Sequence, residues 1–337
     1  MKWLGKLAKI FNGKGDVSAF DAEKEMQKNF DTLREDGIRA CNIGEYAYAV
    51  KCFQAAIRLK DDLKTNLLLA RILRGMGRYE ESIPLLKKYS EACPENSETR
   101  LDLADSFGKI GHWQDQADIS ESEISKGNKS SRAYYLASEA AWQLGDADSA
   151  ASFLDEALNI DEYALDALML RAKINVGNGQ YTAALADADK IVSKDPNCEE
   201  ALLLRATALF AMGKTAEAAG SLMKVTEINP FNHEATLRLA IYYENAGKPE
   251  EAEKTYGDAI SADAGFAEAY KLRAKLREKM GKVKDASDDM AEYEKLKKQK
   301  KANKDGDDQD FGGFSNITNQ WEYRYKKMNP YGFCLND

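Results

Sequence analysis

Imidazole is nearly missing from this chain. Two histidines, His112 and His233, occur in 337 residues, and neither stands at a spacing that builds a metal site or activates a nucleophile. There is no Gly-rich phosphate loop and no dinucleotide-type glycine motif behind a strand. Carboxylates are plentiful, but on helices they serve mostly as solvated faces and i,i+4 partners. Cation excess is lacking too: 48 Lys and Arg against 56 Asp and Glu leave a net charge of −8. The pI of about 5.2 argues against nucleic acid as the main partner. No apolar run is long enough to span a bilayer. Five cysteines, an odd number without metal-type spacing, read as small buried residues in a reducing compartment. These absences set the expectation of a non-catalytic chain with no cofactor, no metal and no small-molecule substrate.

What is present is a period. Gly44, Gly77, Gly111, Gly145, Gly179, Gly213, Gly247 and Gly281 are separated by 33 residues once and then by 34 six times. A fixed period of this length means one small unit repeated, each copy contacting its neighbours. Seven residues before each glycine stands a small residue: Gly37, Ala70, Ala104, Ser138, Ala172, Ala206, Ala240, Ala274. Five after it stand Ala49, Ser82, Gln116, Ala150, Ala184, Ala218, Ala252 and Ala286. Twelve after it stand Ala56, Tyr89, Glu123, Ala157, Ile191, Val225, Ala259 and Tyr293. Small residues at such offsets let two helices approach closely. Apolar residues flank them at helical spacing, as in Leu202, Ala206 and Leu209. The glycine ends the first helix, and prolines such as Pro94, Pro196 and Pro230 fall near the end of the second. Each unit is therefore predicted to be helix, tight turn, helix. The third departs from the pattern: Gln116 and Glu123 replace small residues, which either loosens local packing or marks a bend.

This pattern resembles the tetratricopeptide repeat family. The residues that carry the likeness include Gly44-Glu45-Tyr46 with Ala49 and Ala56, Gly77-Arg78-Tyr79 with Pro94, and Gly179-Gln180-Tyr181 with Ala184 and Pro196. The resemblance implies an all-α fold, a right-handed superhelical solenoid of about eight helix-turn-helix repeats over residues 30–298. It also implies that first helices line a concave groove that binds peptides. Carried onto this chain, the groove positions are Arg34, Lys64, Arg71 and Arg74 early on, which suit carboxylates. Later come Tyr135, Trp142, Met169, Lys173, Val176, Leu203, Phe210, Leu237 and Ile241, which suit apolar segments. The Lys/Asn carboxylate clamp that some members use for chaperone tails has no counterpart in the first three repeats, where Arg34, Ile38, Leu68 and Asp102 stand. The implied function is a protein–protein interaction scaffold or adaptor in the cytoplasm.

The two ends follow other rules. In residues 1–15, Trp3, Leu4, Leu7, Ile10 and Phe11 share one face of a helix and Lys2, Lys6 and Lys9 the other. Residues 1–29 thus read as an amphipathic segment and lead-in helix. It either caps the first repeat or makes a weak membrane-surface contact through residues 2–11, which would give a peripheral membrane-associated adaptor. A regulatory subunit of an enzyme complex is the remaining alternative. Residues 299–316 read as a charged, Gly-containing linker. Its Asp305, Asp307, Asp308 and Asp310 lack the turn glycine and terminal Glu of a calcium loop. Residues 317–337 form an aromatic tail with Trp321, Tyr323 and Tyr325 among Arg324, Lys326 and Lys327. That tail is expected to dock, on the last repeat as a cap, in the groove, or on a partner. Cys334 sits where a prenylation box would need it, but Asn336 and Asp337 fit that motif badly.

Overall fold

A computed structural model of the protein describes residues 19–306, and every regular element among them is an α-helix. Sixteen helices fall into eight pairs. Repeat one is α1 (Ala19–Asn42) with α2 (Tyr46–Leu59), and repeat two is α3 (Leu63–Gly75) with α4 (Tyr79–Ala92). Repeat three is α5 (Ser97–Lys109) with α6 (Trp113–Ser125), and repeat four is α7 (Ser131–Gln143) with α8 (Ala147–Ile160). Repeat five is α9 (Leu165–Gly177) with α10 (Tyr181–Lys194), and repeat six is α11 (Glu199–Ala211) with α12 (Thr215–Ile228). Repeat seven is α13 (His233–Asn245) with α14 (Pro249–Ala262), and repeat eight is α15 (Ala267–Lys279) with α16 (Val283–Gly306). Two compact units divide the helices. The first holds the described residues up to 129 and 136–150; the second holds 130–135 and 151 onward. Within each unit a helix packs against its neighbours in sequence.

The turn glycines explain the pairing. Gly213 has φ +76°, and a Cβ there would meet nothing within 4 Å, so its requirement is conformational alone. Its N–H donates to Phe210 O at 3.0 Å, and the next N–H, of Lys214, donates to Leu209 O at 2.9 Å. This pair of bonds satisfies carbonyls that the end of α11 would otherwise leave open. The same two bonds recur at the other seven glycines of the period. The turn then brings the small residues together. Those seven before and five after each glycine are all buried, and Ser138 Oγ donates directly to Ala150 O at 2.8 Å. At Gly37 not even a methyl fits, since a Cβ there would lie 2.6 Å from the Phe53 ring.

Repeat three is filled rather than loosened. Gln116 is 0% exposed and Glu123 1%. Gly108 makes the room, because a Cβ at that position would lie 1.7 Å from Gln116 Oε1. Gln116 Nε2 donates to Leu136 O and to Glu139 Oε2, both at 2.9 Å. Arg100 holds Glu123 with two bonds, Nε to Oε1 at 2.6 Å and Nη2 to Oε2 at 3.0 Å. Ser97 and Lys126 add further donors to that carboxylate. α6 then ends at Gly127, φ +92°, instead of near a proline. At the far end α16 runs to Gly306, eight residues beyond the boundary expected at 298. Lys, Gln and Ala are good helix formers, and no breaker intervenes before that glycine. Residues 19–29 are continuous with α1.

Two measurements test these statements. Gly213→Val places a β-branched residue in the left-handed region, and chemical denaturation should show a loss of about 1–2 kcal/mol or more. Gly220→Ala, inside α12 where a Cβ meets nothing, should gain roughly 0.5–1 kcal/mol. Equal effects at the two sites would remove the conformational account. The second concerns Glu123. Burial alone pushes its pKa up, but the bonds from Arg100, Ser97 and Lys126 outweigh that and hold the carboxyl below its ordinary value. Such a group adds stability above its unfolded pKa, near 4.3, and that stability is lost as pH falls through the folded value. Glu123→Gln should therefore be destabilised at pH 7 by about 1–3 kcal/mol, the range for bonds to charged groups. The gap to the natural protein should narrow as pH falls from about 5 toward 3. A gap that is constant or widens over that range would refute the assignment.

Candidate functional site

Within each unit the first helices of successive repeats lie side by side. In the second unit, Lys173 of α9 pairs with Glu200 of α11 at 2.6 Å. Arg238 of α13 donates to Thr207 Oγ1 of α11 at 2.9 Å. Its guanidinium stands 5.7 Å from the Phe210 ring centre, and Phe210 and Tyr242 are 6.4 Å apart and tilted by 57°. Lys279 of α15 reaches Glu244 of α13 at 3.2 Å. On this face Met169, Leu203, Phe210 and Leu237 are half-buried, whereas Lys173 and Ile241 are exposed. They recur at the repeat interval: Met169, Leu203 and Leu237 occupy one register position. Each packs on the edge of a core cluster without being enclosed by it. Acidic residues hold another register position, namely Asp166, Glu200, Glu234 and Glu268.

The first unit presents a different face. Arg74 is engaged: Nη1 meets Asp102 and Nη2 meets Asp105, each at 2.5 Å. Lys109 lies between Asp105, at 3.7 Å, and Glu139, at 4.0 Å. A carboxylate ligand at Arg74 would have to displace these partners. Arg34 and Arg71 are half-buried and Lys64 is exposed. Trp142 in this unit and Tyr135 in the second are both half-buried. Cys41 and Cys52 are buried free thiols, and burial pushes Cys41 up to about 11, so it is inert at neutral pH. His112 stacks on Phe107 and His233 on Phe266, the latter also 3.0 Å from Asp263, so both pack at helix starts. Among the described residues no group of His, Cys, Asp and Glu could hold a metal ion, and no helix is long and apolar enough to cross a membrane. Residues 2–11 and Trp321, Tyr323 and Tyr325 lie outside the described residues.

One recurring device escaped the reading of the sequence. Arg171 forms a two-bond pair with buried Asp187, at 2.9 and 2.7 Å. Arg273 does the same with buried Asp289, at 2.9 and 2.7 Å. At the equivalent place in repeat six Arg205 donates to Ser221 Oγ at 2.7 Å. Each Arg stands eight residues before the turn glycine and its partner eight after it. That symmetric spacing was the available signal. The clasp ties first helix to second within a repeat and leaves the outer surface of the first helix free for contact.

Helix pairs closed by left-handed glycines and packed on small residues define a helical-repeat protein. A model described as tetratricopeptide repeat matches residues 63–96 and 131–163. A model of the N-terminal TPR repeats region of Psidin matches residues 175–304. Among solved structures, a tetratricopeptide repeat protein from Parabacteroides merdae is similar, with TM-score 0.53 and 18% identity over 74% of this chain and 98% of that one. Pseudomonas aeruginosa pilF gives 0.50 and 13% identity, with 61% of this chain and 98% of that one covered. Yeast Tom70 gives 0.50 and 16%, with 89% of this chain but 58% of that one. A search of curated proteins by sequence found no match. The chain belongs to the tetratricopeptide repeat family.

The division between core and face is testable on adjacent residues. Leu202 is buried in the repeat-six core, and Leu202→Ala should cost about 2–5 kcal/mol in denaturant unfolding. Leu203→Ala, one register step round the helix, should cost roughly 1 kcal/mol or less. Equal losses would place Leu203 in the core and off the face.

Proposed function

We propose that this protein is a non-catalytic scaffold that binds extended segments of partner proteins along its first-helix faces, in the cytoplasm. The observation that carries the reading is the repeated row of Met169, Leu203 and Leu237, with Phe210 and Ile241 beside it, held at the surface of helices whose cores are already complete. Half-buried apolar side chains repeated in register, with exposed Ile241 beside them, leave apolar area that a ligand covers better than solvent. Surface ion pairs such as Lys173 with Glu200 are worth at most about 1 kcal/mol each and are easily exchanged for pairs with a ligand. In the first unit the same role falls to Lys64, Arg71 and Arg34, since Arg74 is held by Asp102 and Asp105. The unpaired thiols of Cys41 and Cys52, deep in the core, support a reducing setting.

The test is affinity capture from native cells with the full chain and with a Leu203→Glu/Ile241→Glu variant whose helicity is verified by circular dichroism. The variant should lose the polypeptides held by this face, at least tenfold in quantitative mass spectrometry. Capture of the same set at the same level would overturn the assignment of the face.

A further inference from the structure

The second unit carries a cleft distinct from the first-helix face. A cleft of about 490 Å³ opens between α12, α13 and α14. Its apolar floor is formed by buried Leu239 and half-buried Tyr243 with exposed Met223 at its edge, the Tyr243 hydroxyl lying 3.6 Å from Met223 Sδ. Its rim carries Glu227, Glu251 and Asp258, all exposed, against the one cation Lys254. On α13 the floor residues Leu239 and Tyr243 lie on a different stripe from Leu237 and Ile241, so this cleft and the first-helix face do not share side chains. The volume falls in the range of sites that take a ligand group. A thioether and a phenol ring on the floor suit an aromatic ring, and a rim with an excess of carboxylates suits cations beside it.

We infer that the occupant of this cleft is the chain's own segment Trp321–Lys327, with the Trp321 ring on the Met223 and Tyr243 floor and Arg324 and Lys326 toward Glu227, Glu251 and Asp258. The segment reads Trp-Glu-Tyr-Arg-Tyr-Lys-Lys, three aromatics and three cations against one carboxylate. In extended form its aromatics fall on one side and Arg324 and Lys326 on the other, so one edge can enter while the other meets the rim. The reach is sufficient. Asp289 of α16 stands at the same register as Thr255 of α14, which lines the cleft. From there to Gly306 is about 26 Å at a rise of 1.5 Å per residue. Two helix-packing distances across add roughly 20 Å, for a separation of about 33 Å. Residues 307–320 can extend to about 46 Å at 3.3 Å each. Tethering holds the segment at roughly millimolar effective concentration, so a weak site is still filled. The inference goes beyond the binding face and does not depend on it.

The experiment uses the full chain with benzoylphenylalanine in place of Trp321, irradiated at low concentration, with adducts mapped by mass spectrometry. Adducts within one chain should fall on α12 and α14, Met223 foremost. Glu251→Lys/Asp258→Lys should lower their yield about tenfold, and adding Arg324→Glu/Lys326→Glu/Lys327→Glu should restore it. The tail charge reversal alone lowers the yield without altering any of α1 to α16, so the outcome does not hang on the folding of the rim variant. Adducts mainly on α9 and α11, on α15 and α16, or between two copies would overturn the inference. So would a yield indifferent to both reversals. Loss of partner capture in the Leu203→Glu/Ile241→Glu variant would leave the scaffold reading standing in any of these cases.

Discussion

The left-handed turn at each repeat's glycine is the constraint on which everything else rests. It is short and stiff, with two hydrogen bonds closing the end of the first helix. A turn of fixed length fixes the phase between the two helices. Residues seven before and five after the glycine are then buried in every repeat, and all of them except Gln116 are small. That explains why both the glycine and the small residues share the period. It also explains why the core is built piecewise, as clusters that each draw on adjacent repeats.

The third repeat shows how far that packing rule bends. A long polar residue can enter an interface meant for alanine if a neighbour shrinks and its donors find partners, even with Gln116 Oε1 left buried without a hydrogen bond. Gly108 shrinks, and Leu136 O and Glu139 take the Gln116 amide. Glu123 is more demanding, because a buried carboxylate left alone would be far more costly than a buried amide. Arg100 answers with two bonds. Such pairs add little net stability over an apolar contact, but they fix which side chain faces which. The Arg171–Asp187 and Arg273–Asp289 clasps apply the same logic inside single repeats of the second unit.

The parts of the fold that were legible in the sequence are those set by spacing. Helix boundaries, turn positions and the buried small residues follow from one glycine period and helical geometry. What spacing does not convey is pairing between repeats. Arg74 read as a ligand for external carboxylates because its register faces outward. Asp102 and Asp105, a repeat later, claim it. Nothing local to residue 74 signals that. The fate of Gln116 was equally hidden, since its accommodation depends on Gly108 in another helix. The length of α16 was missed for an opposite reason: a lysine-rich run reads as linker by charge and as helix by propensity, and propensity prevailed.

A face built from repeats also constrains what it can recognise. In the second unit Met169, Leu203 and Leu237 sit on separate helices at one register. No compact ligand can satisfy a row of this kind, whereas an extended chain meets each rung in turn. If the row binds as proposed, affinity would accumulate over several weak contacts, and removing one rung would weaken binding by steps without abolishing it. The cleft between α12 and α14 is the converse case, a single concave site with its own floor and rim. One small set of helices therefore offers two kinds of surface, and α13 contributes a different stripe to each. Because those stripes share a backbone but no side chains, a change on one side can leave the other's chemistry intact.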